Sequence, residues 1–323
     1  RQYVDLESNR QAASLADAYN RIGDCLYQNR QFSLAEENYS RAVQLSPSAG
    51  DYSIYQKGFL LGLQKDYKGK ISAMDRLISE YPESQYVDDA LFEKGRSYVL
   101  LENSSSAAQA FEKLIREFPQ SSLARKAGIQ LGLLYYNDNQ PEKALAAYKQ
   151  VISNYPGSEE AKIALQDLKS VYIDLNDINA YASYVNSIGG NIRLEVGEQD
   201  SLTYIAAEKL FMRGDNDGAR RSLINYLQTF PEGAFSSNAN FYLGSIAFAK
   251  KEFDEAIQRF KSVIASGDTK FLEESVARTA EIEYLSKDYP AALESFKRLL
   301  IVAENPENRQ AARFGIMRCA LQT

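Results

Sequence analysis

The 323-residue sequence contains no histidine. That removes serine–histidine–acid triads, histidine-ligated metal sites and histidine acid–base catalysis together. Tryptophan is missing too, and with it the usual sugar-stacking residue of a carbohydrate-active helical barrel. Only two cysteines occur, Cys25 and Cys319, near opposite ends of the chain. A disulfide between them needs their Cα atoms within about 7 Å, so they read as two separate thiols. No apolar run approaches the roughly 18 residues of a membrane span. Lysine and arginine are spread among acids at a net charge of −6, which argues against a nucleic-acid footprint. Neither a phosphate-cradling nor a dinucleotide-binding glycine pattern is found.

The carboxylates left for chemistry fall where helices begin. Asp88-Asp89, Glu159-Glu160 and Glu273-Glu274 each open a predicted helix, where an acid favours the helix dipole by roughly 0.5 kcal/mol. Asp215-Asn216-Asp217-Gly218 starts like a calcium loop but lacks the distal glutamate of an EF-hand, so it reads as a turn between helices. The expectation is a protein without catalytic residues, metal or cofactor.

What is present is a period. Gly23 precedes Pro47, Gly58 precedes Pro82, Gly95 precedes Pro119 and Gly132 precedes Pro156, always by 24 residues, and Ala207 and Pro231 keep the same spacing. A fixed internal period implies a stack of one supersecondary unit. Around Gly95, the apolar Leu91, Phe92, Tyr98 and Val99 recur at helical spacing. A second helix, Ser106 to Glu117, carries small Ala107, Ala108 and Ala110 for close approach, with Phe111 and Leu114 filling the space beside it. Proline ends each unit because it cannot continue a helix, and Ser84, Ser121 and Ser158 follow as N-caps.

These residues resemble the tetratricopeptide repeat (TPR) family. The first full copy fills the family's signature positions with Tyr19, Ile22, Gly23, Leu26, Ala35, Tyr39, Ala42 and Pro47. The third does so with Leu91, Gly95, Tyr98, Ala107, Phe111, Leu114 and Pro119, and the fourth with Leu131, Gly132, Tyr135, Ala144, Tyr148, Val151 and Pro156. Copy two departs, with Lys70 in place of alanine, which predicts a looser helix contact. The pitch of 37 residues between Gly58, Gly95 and Gly132 predicts first helices about one turn longer than the family norm. Tyr-Pro or Phe-Pro at the unit ends (Tyr81-Pro82, Phe118-Pro119, Tyr155-Pro156, Phe230-Pro231) is similar to bacterial cell-envelope TPR proteins, of the Tol-Pal-associated periplasmic and outer-membrane assembly lipoprotein types. The resemblance implies an all-α solenoid, a right-handed superhelix of antiparallel helix pairs. It also implies a periplasmic or outer-membrane-associated location, with a cytoplasmic adaptor as the alternative.

The expected organisation is an N-terminal array over 1–187, an inserted loop over 188–199 and a C-terminal array over 200–323. Copies one to four occupy about 16–49, 51–86, 88–123 and 125–160. The fifth, about 162–187, is degenerate, with Lys169 for the glycine and a short second helix. Gly189-Gly190 and the alternating Ile192 to Val196 then interrupt the helical pattern. Three further copies and one final helix, Asn308 to Leu321, follow. At the other end, Gln2 to Asn9 read as the close of a second helix, which suggests a piece of a longer chain.

In TPR proteins the first helices line a concave face through fixed positions of the unit. Carried onto this sequence, those positions hold Tyr52, Tyr55, Phe59, Phe92, Arg96, Ile129, Leu133, Tyr136, Tyr204, Phe211, Phe241 and Phe248, with Tyr27 and Tyr284 in equivalent places. A contiguous apolar surface of this kind marks a contact site. The function this implies is a non-catalytic scaffold that binds a protein or peptide segment in an aromatic-lined groove. The alternative for each ring is packing between adjacent first helices.

Overall fold

The computed structural model describes residues 2–189, 193–267 and 270–322, with side chains from residue 11 onward. Its regular elements are seventeen α-helices and one short 3₁₀ turn, with no strand among the described residues. The helices pair as the period predicts. Copy one is α1 (Gln2–Gln28) and α2 (Phe32–Leu45); copy two is α3 (Asp51–Leu63) and α4 (Tyr67–Glu80). Copies three and four are α5 (Val87–Leu100) with α6 (Ser104–Glu117), and α7 (Ser122–Asn137) with α8 (Pro141–Asn154). Copy five is α9 (Glu159–Asp174) and α10 (Ile178–Ile188), the latter only 11 residues long. Copies six to eight are α11 (Val196–Met212) with α12 (Asn216–Thr229), α13 (Ser236–Ala249) with α14 (Phe253–Ser266), and α15 (Leu272–Leu285) with α16 (Tyr289–Val302). A last first-type helix, α17 (Pro306–Ala320), packs on α16. α1 is continuous, so residues 2–9 belong to the first helix of copy one rather than to a separate preceding helix.

In copies one, three, four and seven the helices approach through a ring laid on a glycine. A Cβ at Gly95 would stand 2.5 Å from the Phe111 ring, at Gly132 2.5 Å from Tyr148, and at Gly244 2.8 Å from Phe260. The rings, fully buried, fill the space a side chain at the glycine would need. Copy two places Met74 on Gly58 instead. Its Lys70 does not loosen the pair: the side chain is buried, passes across Gly62 and gives its ammonium to Glu93 of the next copy.

The turn inside each hairpin is the same eight times. One residue adopts a left-handed conformation, at Arg30, Lys65, Glu102, Asn139, Asn176, Gly214, Lys251 and Lys287. Its N–H and the next return to the end of the first helix, as in Lys65 N to Gly62 O at 3.1 Å and Asp66 N to Leu61 O at 2.9 Å. This closure satisfies two of the carbonyls a helix end leaves over. The following residue starts the second helix, often as its cap: Asp66, Asn103, Asp177, Asp215 and Asp288 each accept a backbone N–H three residues on. Asp215 is thus a helix cap, and the calcium-like string is the interhelical turn.

Copies are fastened to one another at the turns between them. Asp51 accepts from Ser84 Oγ at 2.6 Å and Asp88 from Ser121 Oγ at 2.7 Å. Asp200 accepts from Tyr226 Oη and Ala234 N, and Glu273 from Glu304 N and Asn305 N. All four acids hold the same position, the first of their copy. Of the three serines, Ser121 caps α7, and Ser158 Oγ accepts from Ala161 N. Ser84 stands three residues before the start of α5 and accepts from Tyr86 N at 3.2 Å. Tyr155 adds a hydroxyl bond to Pro119 O at 2.9 Å, and Tyr81 makes the same bond to Pro47 O. The residues that lengthen the pitch go mainly into these turns, not into the first helices. α3 and α5 have 13 and 14 residues, no more than the second helices beside them, and 81–86 form the turn. Of the three first helices that carry the 37-residue pitch, only α7, with 16, is longer.

The chain divides into two compact units, up to Val171 and from Tyr172 on. The division falls near the end of α9, whereas the sequence places it at 188–199. Polar contacts tie the residues just after this division to α11 and α12. Asp174, the last residue of α9, takes Lys209 and Arg213 of α11, and Asn176 donates to Ser222 of α12 at 2.6 Å. Residues 190–192 lie outside the described residues, and 193–195 are irregular before α11 begins at Val196. The N-terminal unit is built on a core of Leu77, Leu91, Phe111, Leu114 and Leu131. The C-terminal unit has its own clusters around Leu223 and Tyr226, Phe260, and Phe296 and Leu299.

Candidate functional site

The expected residues all lie on first helices, with unequal access. In the N-terminal unit α3 contributes Tyr52, Tyr55 and Phe59, α5 Phe92 and Arg96, and α7 Ile129, Leu133 and Tyr136. All are half-buried except Arg96 and Leu133, which are exposed. In the C-terminal unit Phe211, Phe241 and Phe248 are half-buried. Tyr204 is not a face residue. It is 2% exposed, because its hydroxyl donates to Glu208 at 2.6 Å and its ring is covered by Phe235.

That covering recurs in copies two, six and seven. Tyr55 stacks on Tyr86 with centroids 5.2 Å apart, Tyr204 on Phe235 at 4.5 Å, and Phe241 on Phe271 at 4.2 Å. Each pair joins a first-helix ring to a ring in the turn that opens the next copy. These rings pack between copies. Other contacts are looser: Phe59 lies 6.4 Å from Tyr27, Phe92 5.9 Å from Phe111, and Phe248 6.1 Å from Phe253 with Arg278 4.9 Å above it. Phe211 meets Tyr242 at 4.6 Å. The turn rings Tyr86, Phe235 and Phe271 were not singled out by the sequence pattern. Their constant distance of 30 or 31 residues from the ring they cover is the signal that finds them.

Charges on the N-terminal face are arranged around these rings. Asp24 accepts from the hydroxyls of Tyr39 and Tyr52 at 2.9 and 2.6 Å. Burial, with those hydrogen bonds, pushes both hydroxyls above the usual tyrosine range. Glu93 is buried between two cations, Lys70 and Arg96, the latter at 3.1 Å. Arg96 thus pairs with Glu93 rather than Asp89. Asp89 is different. Burial first, then Asp88 and Glu93, push its carboxyl above the usual aspartate range, and only a hydrogen bond from Tyr55 opposes them.

Clefts occur in both units. Two in the N-terminal unit, of about 550 and 590 Å³, are the same gap one copy apart, between α4 and α6 with Tyr98 and between α6 and α8 with Tyr135. In the C-terminal unit a cleft of about 540 Å³ lies between α15 and α17, lined by Tyr284, Phe296, Phe314 and Arg318 among others. Cys25 is exposed and Cys319 buried, and neither forms a disulfide. Among the described residues no group of three or more potential ligands is placed to hold a metal ion, and no helix is long and apolar enough to cross a membrane.

The tetratricopeptide repeat family matches the chain over three stretches, residues 16–48, 52–84 and 206–269. The chain is a tetratricopeptide repeat protein. Over residues 88–166, α5 to the middle of α9, the TPR array also matches a family described as outer membrane lipoprotein. No curated protein sequence matches it. Among solved structures, one described as Naa15/Naa10 bound to HypK-THB aligns with a TM-score of 0.56 at 12% identity, over 92% of this chain and 44% of that one. A TPR protein from Parabacteroides merdae aligns at 0.46 and 17% identity, over 82% and 99%. MamA from Desulfovibrio magneticus aligns at 0.42 and 19%, over 54% and 92%. At these identities the likeness concerns the fold. TPR arrays are interaction scaffolds, and this chain has that architecture in both units.

Proposed function

We propose that this TPR protein is a non-catalytic scaffold of a bacterial envelope complex, and that its N-terminal unit binds a protein or peptide segment along the first-helix face. The observation that carries the reading is a set of uncovered apolar side chains on successive first helices: Leu100 on α5 at 57%, Leu133 on α7 at 43% and Ile163 on α9 at 47% exposed. Leu133 continues the Ile129–Tyr136 row of α7 at one-turn spacing. Apolar surface of this extent, rimmed by Arg96 and Asp89, is what a partner segment covers. The absence of catalysis is supported by the occupation of the acids. Asp88 and Glu273 hold turns and Asp215 caps a helix. The outer membrane lipoprotein match over 88–166 supports the envelope location.

The test of docking is selection of a random peptide library displayed on phage against the full chain, followed by Leu133→Asp. Peptides that bind the wild type and lose at least about tenfold in affinity with Leu133→Asp support the face, since an anchor at a hot spot is worth that or more. The melting temperature should stay put, because Leu133 is solvent-facing. Peptides indifferent to Leu133→Asp, Phe92→Ala and Tyr55→Ala alike would refute it. Fractionation of the source cells decides the location, and recovery with cytoplasmic proteins would favour the adaptor reading.

A further inference from the structure

The stacked pairs recur with a third member. Three residues beyond each turn ring, in the first turn of the next first helix, stand Asp89, Asn238 and Glu274. In two of the three copies this position carries no unbalanced charge. Asn238 is neutral and donates to Tyr204 Oη at 3.2 Å, and Glu274 is taken by Arg278 at 2.9 Å. Asp89 is the exception. The residue one turn on, where Glu274 has its arginine, is Glu93, and Glu93 already holds the two cations nearby, Lys70 and Arg96. No cation pairs with Asp89 among the described residues. It is half-buried and accepts a hydrogen bond from Tyr55 of the Tyr55–Tyr86 stack, with Tyr52 5.9 Å from Tyr86.

A half-buried carboxylate next to tyrosine faces is the chemistry that takes an organic cation, by charge on one side and ring quadrupole on the other. We propose that Asp89, with Tyr55 and Tyr86, receives a lysine or arginine side chain of the partner segment that lies on the N-terminal face. This deepens the docking reading and rests on it for the segment, while the cation site itself can be probed alone. The raised Asp89 carboxyl fits the same picture: without its cation the charge is held at a cost. Asp89→Asn should therefore melt at or above the wild type while losing the site, because Asn238 shows that asparagine fits this position.

The experiment titrates the full chain, labelled in its tyrosine rings, with n-butylguanidinium and separately with n-butanol, followed by NMR. The expected result is a shift at Tyr55 and Tyr86 with the cation and not with the alcohol. Binding should be about fivefold weaker or more in Asp89→Asn, the size of a partly exposed ion pair with a ring contact. Asp89→Ser, the type found at this position in copy six as Ser201, serves as the second variant. An equal response in the wild type and both variants, or an equal response to butanol, overturns the inference. The phage-selected peptides separate it from the broader reading. Enrichment of lysine or arginine that vanishes on Asp89→Asn supports both. Peptides dependent on Leu133 but without such enrichment overturn the cation site and leave docking standing. Failure to select any peptide sinks docking, and the guanidinium titration then decides Asp89 by itself.

Discussion

A methyl group at Gly132 would have no place to go. Its carbon would lie 2.5 Å from Tyr148 Cε1, and Tyr148 is fully buried. Gly132→Ala should therefore cost about 1–3 kcal/mol as an overpacked contact, measured by urea unfolding, and Gly95→Ala should do the same against Phe111. The sequence pattern pointed at the right residues but assigned the close approach to the alanines of the second helix. Spacing locates a glycine; it does not say that a ring lies flat on it. Ser275 gives the opposite prediction. Its hydroxyl is buried and without a hydrogen-bond partner among the described residues, so Ser275→Ala should raise stability by about 1 kcal/mol. A lower urea midpoint for Ser275→Ala would show that the hydroxyl has a partner after all.

The hairpin turns set the next scale. Seven of the eight left-handed turn positions carry a side chain, and Lys251 is one of them. A left-handed non-glycine residue costs about 1–2 kcal/mol, part of which glycine returns as unfolded-state entropy. Lys251→Gly should stabilise the chain by about 0.5–1 kcal/mol, seen as a higher melting temperature with unchanged helicity. The joints between copies predict a pH effect. Burial raises the Glu273 carboxyl, but hydrogen bonds from Asn308, Glu304 N and Asn305 N, helped by Arg309, outweigh it and hold the group below the usual glutamate value of 4.5. A depressed carboxyl contributes stability above its unfolded pKa and loses it as the pH falls through the folded one. Amide exchange in α17 should therefore accelerate relative to α13 as the pH drops below 4.5, after correction for intrinsic rates, and Glu273→Gln should abolish the difference. The helix pairs were legible in the sequence because glycine, alanine and proline mark them locally. Which stripe rings face solvent was not, because Tyr55, Tyr204 and Phe241 are each covered by a residue 30 or 31 positions away.

For the whole chain the irregular stretch beside Arg193 and the division at Val171 give separate expectations. Arg193 is exposed and outside any helix, so limited trypsin digestion should cut there first. The nicked chain should nevertheless run as one particle in size exclusion, since Asp174, before the cut, pairs with Lys209 and Arg213 after it. Prompt separation of the two fragments would show that these pairs do not hold α9 to α11. The stacked rings carry a last consequence. Tyr55 belongs to copy two, while Tyr86 ends the turn into copy three and Asp89 lies in α5 of copy three, so no single copy owns the cation site. Transplanting residues 51–86 into another array would move two rings and leave their carboxylate behind, whereas 51–123 would carry the whole arrangement. Recognition in such a chain is inherited with its joints, and shuffling whole copies rewrites it at every new seam.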